Sequence, residues 1–140
     1  MAPMSSAGRV SACDLQDARV RLVHAQKFVE VAEIAADESS LDGYGNVAAT
    51  LAVLGGIAAA DAACCAALQQ RSRAKDHHDA EKLVAGVQPG GPEAARDLRR
   101  LLDLKDEAQY GVIHVGRSDL RAAIRCARRM VAFAEHTVRR

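Results

Sequence analysis

Residues 47–68 read VAATLAVLGGIAAADAACCAAL. Ten of them are Ala, and the only charged side chain is Asp61. No polar stripe divides the stretch, and a helix apolar on all sides is either a membrane span or the central helix of a bundle. Its length would suffice for a span, which takes about 20 residues. However, a carboxylate near a helix centre costs about 2.5–3.5 kcal/mol on insertion, and no aromatic residues flank the stretch. The reading is therefore a central bundle helix. Gly55-Gly56 inside it costs roughly 1 kcal/mol per glycine against Ala, so another backbone is expected to pass close by. Asp61 has only Ala58, Cys64, Ile57 and Cys65 at helical spacing, so a partner must come from another helix. An unpaired buried carboxylate costs several kcal/mol. Lys105 and Tyr110 are the expected partners, as a structural tie between the second and fourth helices.

The flanking segments supply the rest of a bundle. Ser11 and Asp14 look like a capping box opening the first helix. Leu15, Ala18, Leu22, Ala25, Val29, Ala32 and Ala36 step by three and four along one face. Phe28, Val31 and Ile34 widen that face, so two neighbours are expected to flank the helix. Ser39-Ser40 and Asp42-Gly43-Tyr44-Gly45 end it, and Asn46 is a fair N-cap for the central helix. Asp76, with Asp79 three residues on, opens a short third helix bearing Ala80, Leu83, Val84 and Val87. Pro92 starts the fourth helix, with Leu98, Leu101, Leu102 and Ala108 as its buried set and Gly111 as its stop. Ser118 caps the fifth, whose seam is Leu120, Ile124, Ala127, Val131, Ala134 and Val138. Short connections imply antiparallel neighbours. The expectation is an all-α, up-down antiparallel bundle of about five helices, with residues 1–10 a disordered lead and 11–140 one domain.

Composition narrows the function classes. The 140 residues carry a net charge of +1 and 3% aromatic residues, which favours a core of small aliphatic side chains. Charge is uneven: residues 117–140 hold seven Arg against Asp119 and Glu135. A basic last helix on a body of opposite charge points to an acidic partner. Arg117, Arg121, Arg125 and Arg128 line a band beside its seam and are candidate nucleic-acid contacts; a solvated flank or subunit interface is the alternative. No aromatic side chain interleaves with the band, so base stacking is not supported there. Cys13, Cys64, Cys65 and Cys126 form no C-x-x-C pair and read as reduced, buried thiols of a cytoplasmic protein. The first ten residues have no apolar core of a secretory signal.

The stretch RSRAKDHHD, residues 71–79, gathers the other chemistry. Arg71, Arg73, His77 and His78 could hold a phosphate and exchange protons. Arg71–His77, Arg71–His78 and Arg73–His78 fit an Arg-x4-6-His spacing, but so do Arg19–His24 and Arg129–His136, and about 1.6 matches arise by chance. Charge complementation at two helix ends is the plainer alternative. Zinc on Cys64, Cys65, His77 and His78 is rejected, because vicinal ligands do not close a tetrahedral site. His24 reads as surface. No cofactor and no metal are expected.

Three pieces together resemble the HEPN superfamily, small helical domains of prokaryotic toxin–antitoxin and antiviral systems. They are AAADAACCAAL within the central helix, DHHDAEKLV over 76–84, and LLDLKDEAQYG over 101–111 with an Ala-rich last helix after it. The resemblance covers roughly residues 18–134. It implies a homodimer and, in catalytic members, an Arg-x4-6-His motif on a late helix at the dimer interface. That motif cuts RNA without metal: the ribose 2′-hydroxyl attacks and the Arg holds phosphate charge. Here the corresponding region, 98–110, contains no His. The resemblance therefore implies a non-catalytic module whose partner is a protein, such as a nucleotidyltransferase-like neighbour, or a nucleic acid. The alternative is a metal-independent endoribonuclease using Arg71, Arg73, His77 and His78.

Overall fold

A computed structural model describes residues 9–38, 42–73 and 78–140. Five helices are seen: α1 (Leu15–Asp37), α2 (Tyr44–Leu68), α3 (His78–Ala85), α4 (Gly91–Tyr110) and α5 (Arg117–Arg139). Two three-residue strands, β1 (Val10–Ala12) and β2 (Gln70–Ser72), pair antiparallel. The expected all-α bundle of five helices is what forms, with this ribbon added.

The central helix is where the sequence put it. α2 packs against α1, α4 and α5, and thirteen of its residues are buried. It is long and apolar enough to cross a membrane by composition, and 61% of its most apolar stretch lies inside the bundle. Cross-links fix the directions of the helices. Gln26 and Glu33 of α1 meet Glu135 and Arg128 of α5 in reverse order. Asn46 and Gly56 of α2 meet Ala108 and Leu101 of α4, again in reverse order. The four long helices thus alternate up and down, and α3 is a short connector.

Small residues let α2 approach its neighbours. The glycine pair mainly accepts side chains, and the expected backbone comes close at Gly55, where Ala25 O would lie 3.5 Å from an added Cβ. A Cβ on Gly55 would lie 2.8 Å from Val29 Cγ2, and one on Gly56 would collide with Leu101 Cδ1. At Gly91 a backbone does approach: Val84 O would be 2.5 Å from an added Cβ. That contact seats the start of α4 on α3, and Pro92 falls one residue after the first helical position.

Several caps differ from expectation. The capping box of α1 is Asp14 with Asp17, each side chain accepting from the other's backbone N–H at 2.8 and 3.0 Å; Ser11 is drawn into β1 opposite Arg71. Gly43, in the left-handed region at φ 91°, precedes α2. Asn46 is therefore inside the helix, and its side chain pins the α4–α5 connection. It accepts from Val115 N–H at 2.8 Å and donates to Ala108 O at 3.3 Å. Gly116 precedes α5, so Ser118 lies within the first turn. The expected cap Asp76 and the turn at Ser39-Ser40 lie outside the described residues. Val10, taken as the end of the lead, is the first residue of β1.

The cysteine reading is overturned for two of the four. Cys13 is disulfide-bonded to Cys65, with Cα atoms 5.3 Å apart. The ribbon is the cause. Cys13 N–H donates to Gln69 O at 3.1 Å, and Gln69 follows Cys65 by one helical turn. Cys64 and Cys126 are free and buried. Reduced thiols therefore no longer argue for a cytoplasmic protein.

Candidate functional site

The basic band of α5 is the feature that the fold turns into a site. Arg117, Arg121, Arg125 and Arg128 step by four, four and three, so they share one side of the helix. That side borders the C-terminal half of α1, and the two helices enclose a groove of about 750 Å³. Leu120, Ile124 and Ala36 supply apolar lining, and Glu33 and Asp37 stand across from the arginines. Arg128 is ion-paired with Glu33. Among the described residues, Arg117, Arg121 and Arg125 make no ion pair. The groove thus holds four cations against two carboxylates, with three guanidinium groups available to an incoming anion. Each offers a planar fork of donors suited to phosphate.

The Arg71–His78 cluster is dispersed in part. Arg71 lies on β2 and approaches Asp61, Nη1 to Oδ2 at 3.9 Å. Arg73 continues the ribbon, its N–H donating to Arg9 O at 3.1 Å. His78 begins α3 and pairs with Glu81 at 3.0 Å. His77 lies outside the described residues. Cys65, once considered for zinc, is committed to the disulfide.

Asp61 is tied off, but to α1 rather than α4. Arg21 Nε donates to Asp61 Oδ2 at 3.1 Å, and Nη2 lies 3.0 Å from the same oxygen. The aspartate side chain is only 13% exposed. Lys105 is half-buried and makes no ion pair among the described residues, and Tyr110 is 74% exposed. Arg21 escaped the sequence reading because it lies 40 positions earlier. Burial, and secondarily the Asp61 charge, push the neighbouring Cys64 thiol up to about 12. The thiol is therefore protonated and unreactive at neutral pH.

A second ion pair went unread. Arg129 of α5 grips buried Asp97 of α4 with two bonds, Nη2 to Oδ1 at 2.7 Å and Nε to Oδ2 at 3.0 Å. The bond to Asp97 raises the Arg129 pKa above its ordinary value. The signal was in the sequence: Asp97 falls between Ala94 and Leu101 on the seam of α4. Seven residues after Arg129, and so on the same side of α5, is His136, which is exposed and makes no hydrogen bond among the described residues.

Where α2 begins and α4 leads into α5, a cleft of about 640 Å³ is lined by Val47, Thr50, Leu51, Val112 and Ile113 among others. Its lining is largely apolar, and His114 is the one ionisable side chain among the described residues that line it.

Comparison with known proteins bears on these residues. The family model for the HEPN domain matches residues 57–137. The matched segment begins inside α2 and takes in nearly all of α5. It therefore includes the arginine band and both Arg129 and His136. No curated protein matches the chain.

Proposed function

Because the chain belongs to the HEPN domain family, we propose that it is a helical binding module that holds a nucleic acid by its phosphates, without cutting it, in the α1–α5 groove. The observation that carries this reading is the row Arg117, Arg121 and Arg125, which makes no ion pair among the described residues, along a groove of mixed charged and apolar lining. Arginine forks take phosphate oxygens, and each neutralised phosphate releases counterions. Two copies act together, as the family resemblance implies, in a toxin–antitoxin-like or nucleotidyltransferase-associated setting.

The test is oligoribonucleotide binding as a function of salt. Arg121→Ala with Arg125→Ala removes two phosphate contacts. The slope of log affinity against log salt should then fall by about 1.4, at roughly 0.7 per contact for single strands. An unchanged slope, or no binding at low salt, would refute the proposal.

A second reading is a metal-independent ribonuclease, and Arg129 with His136 on one side of α5 favours it. On the last helix of the matched segment these two meet the spacing, as Arg71–His77, Arg71–His78 and Arg73–His78 do earlier in it, whereas the region 98–110 contains no His. The grip of Asp97 on Arg129 weighs against it, since the guanidinium is already neutralised. RNA cleavage in chelator that His136→Ala abolishes would establish this reading in place of binding alone. Cleavage abolished by His77→Ala or His78→Ala would instead return it to residues 71–78.

A further inference from the structure

Arg9 and Arg73 extend the ribbon by one pair beyond β1 and β2. Arg73 N–H donates to Arg9 O at 3.1 Å, which continues the register that sets Val10 opposite Ser72 and Ser11 opposite Arg71. Side chains alternate along a strand, so Arg9, Ser11, Arg71 and Arg73 share one face. Arg9 and Arg73 are then direct neighbours across the ribbon, an arrangement of like charges that repels. Both are exposed, and neither makes an ion pair among the described residues. Arg71 reaches Asp61 only at 3.9 Å, and its side chain is 44% exposed.

The outer edge of β1 is open as well. Arg9, Ser11 and Cys13 turn their backbone groups toward β2, as the bonds at Arg9 O and Cys13 N–H show. In an antiparallel pair the residues between them point theirs the other way. Those are Val10 and Ala12, and their N–H and C=O groups meet no partner among the described residues. Ala12 is exposed and Val10 half-buried. Cys13, bonded to Cys65 of α2, anchors the strand so that its edge is formed in advance.

We propose that this edge docks an extended acidic segment of a partner protein, which adds a third strand beside β1. The free backbone groups and the arginines together select it. A nucleic acid offers phosphates but no ladder of N–H and C=O groups. A neutral peptide offers the ladder but leaves Arg9 and Arg73 repelling each other. An acidic strand supplies both. Strands lie about 4.8 Å apart, so a carboxylate opposite Arg9 on the arginine face offsets that repulsion. A second carboxylate two residues along falls opposite Ser11, whose short side chain leaves Arg71 room to reach across. The partner's chemistry is therefore Asp or Glu at alternate positions of an extended stretch. Main-chain bonds give the affinity and the alternate side chains the specificity. The site shares no residue with the α1–α5 groove, so either can fail alone.

The experiment is fluorescence anisotropy of a labelled peptide of alternating Glu and Val, titrated at low salt with the full chain. It should bind saturably. A block isomer, with the Glu residues in one run and the Val residues in another, should bind about tenfold more weakly, because it cannot set its charges on one face. Methylating the peptide's backbone nitrogens that face β1 should abolish binding with every charge kept. Arg9→Glu with Arg73→Glu should weaken the acidic peptide at least about tenfold and bind its alternating Lys and Val counterpart instead, which separates recognition from unfolding. Equal affinity of the block or methylated peptide would reduce the contact to ionic attraction and overturn the added strand. No binding by wild type, or binding indifferent to the charge reversal, would overturn the edge. Displacement of the peptide by an oligoribonucleotide would assign the ribbon to nucleic acid and overturn the proposal.

Discussion

Leu101→Ala is expected to destabilise the protein by about 2–5 kcal/mol, the range for emptying a fully buried leucine site. Leu101 is 0% exposed and presses on Gly56, where the central helix has no side chain, with Met130 beside it. The reciprocal change is informative. Gly56→Ala alone gains about 1 kcal/mol of helix propensity but drives a methyl into Leu101, and overpacking costs about 1–3 kcal/mol. Leu101 is fully buried and Met130 Sδ would also lie only 3.3 Å from the new methyl, so a net loss is expected. In the Leu101→Ala background the same methyl fills part of the cavity and should stabilise. Urea unfolding of the four species closes the cycle. A change of sign for Gly56→Ala supports the packing of α4 on α2, and additive losses would contradict it.

The second large effect is that of the Cys13–Cys65 bond. It joins residues 52 apart in sequence. By the chain-entropy argument, a loop of that length contributes about 4 kcal/mol, and typical measured values are about 2–4 kcal/mol. Cys13→Ser should lower stability by that amount under oxidising conditions and have no such effect in excess reductant. Thiol counting gives a direct check. The unfolded, unreduced chain should show the two thiols of Cys64 and Cys126, and the reduced chain all four. Native protein should react slowly at both, because each is buried. Four thiols without reductant would remove the bond from the account.

The chain's periodicity made the helices legible, and its offsets did not reveal their partners. α2 could be read because nothing polar interrupts it, and α5 because its seam and its arginine band are both local patterns. The band's meaning needed α1, which brings Glu33, Ala36 and Asp37 up against it. Asp61 was recognised as needing a partner, but Arg21 is 40 positions away, and helical spacing carries no information at that range. The disulfide was hidden for a similar reason. Cys13 reaches Cys65 through two three-residue strands, too short to leave an alternating pattern. The caps failed because glycines at 43 and 116 set the helix starts, which freed Asn46 to hold the α4–α5 connection. Asp97 could have been found, since a carboxylate on an apolar seam demands a partner. The two neighbours expected to flank α1 are there, α2 and α5, but Val31 and Ile34 lie on its exposed side.

Arginine side-chain resonances followed during titration with an oligoribonucleotide test the proposed groove most directly. The Nε–H signals of Arg117, Arg121 and Arg125 should shift together and saturate at one concentration. Those of Arg21 and Arg129 should stay in place, because Asp61 and Asp97 already hold them. Shifts confined to Arg71, Arg73 or Arg129, with the α5 band unmoved, would contradict the account.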